Sequence, residues 1–292
     1  MNRREIFRGA LGLWASRLLP AQNPSGGTVN LTDNVAVLND QGVNLVAVTT
    51  SEGQVLVDSG AYDSGERVTA VPNVKILFNT HYHLDQTGKN EKYAGAKIIA
   101  HERTLQWMST DYWVPEKDSY EKARPKAARP TETFLTTGSV KLGHEQIDYG
   151  YLPLAHTSGD IYVFFRNANI LAVGDVASPE RDPALDYFTG AWIGGRVDAM
   201  DTLLKLSNDD TGIVPAYGPV MTKAALKQER DLMEEVRARL FKQVREGQGP
   251  KEMLEGGVLK GLPRTWKDPD KFLYDASKGL WAHHDKLDPN VV

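Results

Sequence analysis

The stretch NTHYHLDQTG, residues 79–88, sets His81 and His83 one residue apart and Asp85 two residues further on, directly behind the apolar run Val74-Lys75-Ile76-Leu77-Phe78. Two imidazoles at i and i+2 on a turn that leaves a strand can point into one space. A carboxylate at i+4 can reach that space from the other side, and a metal ion is its natural occupant. The chain has seven histidines and no cysteine, so a metal must be held by imidazole, carboxylate, amide or phenol. Disulfides, iron–sulfur clusters and a thiol nucleophile are excluded. Two more strand-like runs end on ligand-type residues. LPLAHTSGD delivers His156 behind an apolar run, with Thr157, Ser158 and Gly159 forming the turn, and ILAVGD does the same for Asp175. A single histidine at a strand end is commonly just hydrogen-bonded, and an aspartate after glycine commonly forms a turn; the repetition carries the argument. Three neutral imidazoles with one open position describe a catalytic zinc, because a structural site would be closed by a fourth protein ligand, commonly thiolate.

Such residues need strands that end side by side, and the pattern along the chain supplies them. VAVLND, NLVAVTT and QVLVDSG, parted by the turn-formers NDQG and SEG, read as a meander of strands. VKILFNT is a buried-type strand. A helix around Asn90 to Tyr93, the strand KIIAH and a helix from His101 to about Met108 follow. Residues 111–131, with Pro115, Pro125 and Pro130, read as an irregular excursion, and strands resume at TETFLTT, EQIDYGYLPLA, DIYVFFR and NILAVG. A helix over Val197 to Leu206, the short strand GIVPAYG, a long amphipathic helix from Thr222 to Glu246 and a broken helical tail complete the chain. This alternation predicts an α/β protein, a mixed sheet faced by helices.

Composition narrows the function. The 292 residues are 41% apolar and 25% charged, as in an ordinary folded protein, and the net charge of -4 leaves no basic field for nucleic acid. A small-molecule substrate is the expectation. No apolar run reaches the roughly 18 residues of a membrane span, so no stable membrane insertion is expected once a leader is removed. Residues 1–22, with the paired arginines of NRREIFR ahead of GALGLWASRLLPAQ, resemble a twin-arginine export signal. This predicts a periplasmic or secreted protein whose main domain spans 23–292; without export the same segment is a basic arm of a cytoplasmic protein.

THYHLD (80–85), HTSGD (156–160), VGD (173–175) and VPAYGPV (214–220), with VLVDSG (55–60) upstream, give the chain its resemblance to the metallo-beta-lactamase-fold superfamily over residues about 30 to 220. The resemblance implies a four-layer αββα sandwich with the metals at one edge of two sheets. It implies that His81, His83 and His156 bind a first zinc, that Asp175 bridges, that Asp85 binds a second zinc, and that Asp58 is a buried aspartate supporting the ligands. Gln86 and Thr157 flank these ligands. Two positions depart from the pattern, Gln86 and Tyr217, where most members carry second-metal histidines. A neutral amide oxygen and a phenol of pKa near 10 are poor replacements, so one tight zinc is expected, with the second weak or absent.

A three-histidine zinc lowers the pKa of its water to about 7 and polarises a carbonyl. The expected activity is therefore hydrolysis of an ester, lactone, amide or beta-lactam, with Asp85 orienting the water or taking its proton and Tyr217 donating its hydroxyl. Two other readings compete: a non-catalytic zinc-binding accessory protein, and an iron-dependent dioxygenase built on His81, His156 and Asp175. Trp107, Tyr112, Trp113 and Trp192 are candidates for the rim of an apolar pocket. His101, His144, His283 and His284 lack motif partners, although the pair at 283 and 284 could in principle replace a lost ligand.

Overall fold

The structure is a computed structural model that describes residues 27–62, 71–114 and 118–283. Alternating apolar residues in Val35–Asp40 (β2) and Val43–Thr50 (β3) pair across Gln41 and Gly42, both at positive φ (55° and 96°), the two-residue turn whose twist suits a hairpin. With Thr28–Asn30 (β1), Gly53–Val57 (β4), Val74–Phe78 (β5), Lys97–His101 (β6) and Glu132–Phe134 (β9) they form a seven-stranded sheet in the order β1-β2-β3-β4-β5-β6-β9. It is antiparallel up to β4 and parallel from β4 to β9. The second sheet orders Thr137–Leu142 (β10), Glu145–Tyr151 (β11), Ile161–Phe165 (β12), Ile170–Gly174 (β13) and Gly212–Pro215 (β14), with only β13 and β14 parallel.

The two sheets face each other. Val46, Val48, Val55, Val57, Ile76 and Phe78 of the first pack against Ile147, Ile161, Val163, Phe165 and Ala172 of the second. The next residues along the same strands point the other way, as the two-residue period of a strand requires. Tyr162, Phe164, Leu171 and Ile213 turn outward to meet Ile193–Leu206 (α3), Lys223–Arg245 (α4), Pro250–Glu255 (α5) and Pro269–Ala282 (α6), through Val197, Met200, Leu203, Met233, Val236, Leu240, Met253 and Phe272. On the far side Leu45, Leu56, Leu77 and Ile98 are covered by Val71, Tyr93 and Ala96. The expected four-layer αββα sandwich is the observed fold, with one outer layer much thinner than the other.

Several expected elements differ in detail. The helix at Asn90–Tyr93 is a 3-10 turn, and α3 begins at Ile193, four residues before the expected Val197. Gly194 and Gly195 concealed that start by breaking the apolar period. The excursion at 111–131 contains a hairpin of Tyr112–Val114 (β7) and Ser119–Glu121 (β8) and a 3-10 turn at Lys126–Ala128. TETFLTT divides into β9 and the start of β10. The expected export signal lies outside the described residues, among which no helix is long and apolar enough to cross a membrane.

Candidate metal centre

β4, β5, β13 and β14, neighbours in the parallel parts of the two sheets, all end at one edge of the sandwich. Their last residues lead into Asp58, the His81–His83 turn, Asp175 and Tyr217, and the turn after β11 adds His156. Backbone bonds tie the loops together: Ile161 donates to the Thr80 carbonyl at 2.9 Å across the two sheets, and within the sheets Asp58 donates to that of Phe78 at 2.8 Å and Ala216 to that of Gly174 at 2.8 Å. Gly174, at φ +56°, is the residue that lets β13 end here, because a Cβ would lie 2.8 Å from the Thr80 side chain.

His81, His83 and His156 converge. Their potential ligand atoms lie within 4.8 Å of one another, and the rings meet edge to face with centroids 4.7, 4.8 and 4.9 Å apart. The partners on the far side of each ring decide which nitrogen faces inward. His156 Nδ1 donates to the Ala184 carbonyl at 2.9 Å, leaving Nε2 with a lone pair. His83 Nε2 donates to Asp186 at 3.2 Å, leaving Nδ1, which sits 3.1 Å from His156 Nε2. The Thr80 hydroxyl donates to Asp58 at 2.7 Å and so accepts from His81 Nδ1 at 3.1 Å. His81 Nε2 is then a buried lone pair with no hydrogen-bond partner. Three lone pairs aimed at one point repel each other unless a cation lies between them, so the donor set fits a metal ion.

The electrostatics agree. Burial holds the His81 imidazole well below its usual pKa, reinforced by its two histidine neighbours, so it is neutral and ready to coordinate. For His83 burial works the same way, but the hydrogen bond and charge of Asp186 outweigh it and raise the pKa, so protons compete with a metal for this ring more than for His81. Burial pushes Asp58 up to about 8, opposed by two hydrogen bonds from Thr80. A divalent ion at His81 favours its charged form. Asp58 itself adopts φ 61°, an uncommon conformation for a non-glycine residue at the foot of the site.

Asp175 places Oδ2 4.0 Å from His81 Nε2 and 3.8 Å from His156 Nε2, on the rim of the same space. Asp85, close enough to His83 to feel its charge, accepts a short hydrogen bond from the Tyr217 hydroxyl and a 3.4 Å contact from Gln86 Nε2. Burial opposes its ionisation, but the charge of His83 and the Tyr217 bond hold it below the usual carboxylate range. Tyr217 is pushed far above its ordinary pKa by burial and by Asp85, and remains a neutral phenol. Gln86 is buried, its Oε1 without a partner. Thr157 serves the His156 turn: its hydroxyl donates to Asp160 Oδ1 at 2.7 Å, while the backbone N–H groups of His156 and Thr157 both donate to Asp160 Oδ2 at 2.7 Å.

Two residues escaped the sequence reading. Asp186, in DPALDYF, takes hydrogen bonds from His83 and, at 2.5 Å, from Tyr82. No motif marks it, since it comes from a loop a hundred residues from its partners. Arg181 lies with its guanidinium 3.6 Å over the Tyr217 ring. Asp186→Asn is expected to weaken metal binding by ~10–100-fold, the usual cost of removing a partner of a coordinating histidine. Competition with a chromophoric chelator measures it, and unchanged affinity would deny Asp186 any part in holding His83.

Beside His83 and His156 opens a cleft of about 310 Å³, walled by Tyr82, Trp107, Tyr112, Trp113, Leu185 and Phe188. Tyr82 stacks on Trp107 at 5.5 Å and meets Tyr112 edge-on at 5.2 Å. Trp192, also expected at the rim, is instead buried in the helical core and stacked on His283 at 4.8 Å. That contact and a bond between His283 Nδ1 and the Gly279 carbonyl engage His283 away from the metal centre, so it replaces no ligand; His284 lies outside the described residues. His101 stacks on Tyr151 and caps Glu102–Met108 (α2), and His144 is exposed.

A two-sheet sandwich with a three-histidine centre at its edge defines a class of metal-site proteins, and the comparisons name it. The family profile of the metallo-beta-lactamase superfamily matches residues 38–218, more than half of the chain, and the chain belongs to that superfamily. It is 25% identical over 198 residues to a metallo-beta-lactamase type 2 of Bacillus sp. (strain 170), covering 65% of this chain and 72% of that protein. Among solved structures, a metallo-beta-lactamase from Pontibacter korlensis superposes with TM-score 0.56 at 19% identity, over 71% of this chain and 98% of that one. The stereoselective inverting sec-alkylsulfatase Pisa1 from Pseudomonas sp. superposes with TM-score 0.61 at 12% identity, over 89% of this chain and 50% of that one.

Proposed function

We propose that this protein is a zinc-dependent hydrolase of a small molecule, with one tightly held metal, cleaving an ester, lactone, amide or beta-lactam bond. The observation that carries the reading is the convergence of three imidazole lone pairs, with His81 Nε2 left buried and unpartnered. Zinc in that position supplies a water of pKa about 7 and a Lewis acid for the scissile group. Asp85, ionised beside the cluster, orients the attacking water and takes up its proton. Tyr217 spends its only proton on Asp85, so it positions that carboxylate rather than donating to substrate. The aromatic cleft receives the apolar part of the substrate and shields the reacting bond from bulk water. An iron dioxygenase built on His81, His156 and Asp175 would not need His83, whose lone pair joins the same point.

The test is metal content per chain in protein purified without added metal, followed by hydrolysis assays with zinc titrated in. The panel spans aryl and alkyl esters, lactones, beta-lactams, phosphoesters and, because of the alkylsulfatase likeness, secondary alkyl sulfates. One zinc and turnover that rises with zinc are expected, with aryl and long-chain substrates preferred over methyl analogues. Bound iron with oxygen uptake, or a zinc protein inert across the panel, would overturn it.

A further inference from the structure

The half of the site bounded by Asp85, Asp175 and Tyr217 holds two carboxylates and offers a second metal only a neutral amide and a neutral phenol besides. Something must balance that charge. We propose that the guanidinium of Arg181, packed on Tyr217, is a built-in cation beside the half-site a second metal would enter, so that the centre combines one exchangeable ion with one fixed positive charge. The inference rests on the single-zinc reading above and explains how the chain dispenses with the second ion.

The placement of Arg181 is built by the fold. Its loop is anchored at Ser178, whose N–H donates to Glu229 at 2.7 Å, and Glu229 is itself held by the fully buried Arg196. Arg264 donates to the carbonyls of Ser178, at 2.6 Å, and of Arg181. Pro179 and Glu180 then lie against Gly218, at φ +92°, where a Cβ would come within 3.1 Å of Pro179. This close approach next to Tyr217 sets the guanidinium 3.6 Å above the phenol ring, a geometry in which ring and cation attract. The same ring carries the hydroxyl bonded to Asp85, so one aromatic plate locates both the cation and the carboxylate. Arginine suits the task because it does not lose its proton in a protein and cannot exchange with solvent ions. A divalent ion entering this half-site would face a charge of its own sign at close range, in a setting that screens poorly.

The test is a calorimetric zinc titration of the full chain and two variants, reading the dissociation constant of each equivalent. Arg181→Met keeps the aliphatic stem and removes the charge; Arg181→Lys keeps the charge. The wild type and Arg181→Lys are expected to saturate at one zinc, whereas Arg181→Met takes up a second ion at least ~10-fold more tightly than the wild type. Charge rather than packing is then the cause, because both variants preserve the stem. Equal second-site affinity in wild type and Arg181→Met, or a wild type that binds two ions tightly, overturns the inference and leaves the zinc hydrolase standing. Absence of the first equivalent in the wild type overturns both.

Discussion

Purified His81→Ala is expected to hold almost no zinc and to lose hydrolysis by about 10³-fold or more, since Lewis-acid stabilisation is worth several kcal/mol and each ~1.4 kcal/mol is a factor of ten. The loss of affinity should exceed the ~10–100-fold expected of Asp186→Asn, because a coordinating atom is removed rather than its support. His81 is the informative choice among the three ligands. It is buried to 1% exposure, its Nε2 has no other hydrogen-bond partner, and its removal frees no surface group. Elemental analysis and circular dichroism on the same sample separate loss of metal from loss of fold. A variant that folds, retains a full equivalent of zinc and remains active would refute the three-histidine centre.

Asp85→Asn is expected to do the reverse, keeping one zinc per chain while kcat falls by ~10²–10⁴-fold, the range for removing a general base. The amide preserves size and can still meet Tyr217, but it cannot take a proton. Because the Tyr217 bond and the positive charge of the centre, whether on His83 or on a metal it holds, keep Asp85 below the usual carboxylate range, the wild-type acid limb should not reflect this group. The variant should therefore lose rate at every pH rather than shift its profile. Tyr217→Phe should show a milder form of the same defect, since it only frees Asp85 to turn. Should Asp85→Asn instead lose its zinc with kcat per bound metal intact, Asp85 is a ligand and the role assigned to it is wrong.

Legibility differed between parts of the molecule for identifiable reasons. Strands buried on both faces, such as β5 and β13, announced themselves as short apolar runs closed by turn residues, and the ligand-type residues sat immediately behind them. The long helix α4 was readable to within a residue at each end because its apolar stripe keeps the helical period over 23 residues. The start of α3 was obscured by two glycines, and the β7–β8 hairpin by its three-residue strands, too short to show alternation. Trp192 carried no sign of which way it would face. A tryptophan near a loop is equally at home in a core, and here it lies under α6.

The sequence by itself determined which atoms could bind a metal and which could not: seven histidines, no thiol, and His81, His83, His156 and Asp175 each at the end of an apolar run. Local order is enough for that, because a strand and the turn after it are written in neighbouring residues. Only the tertiary structure decided which nitrogen of each ring faces inward, that Asp186 braces His83, that Tyr217 reaches Asp85, and that Arg181 covers Tyr217. Those partners are 36 to 132 residues apart in the chain or depend on loops without periodicity. Their meeting follows from the packing of two sheets and the helices behind them, which no local pattern encodes.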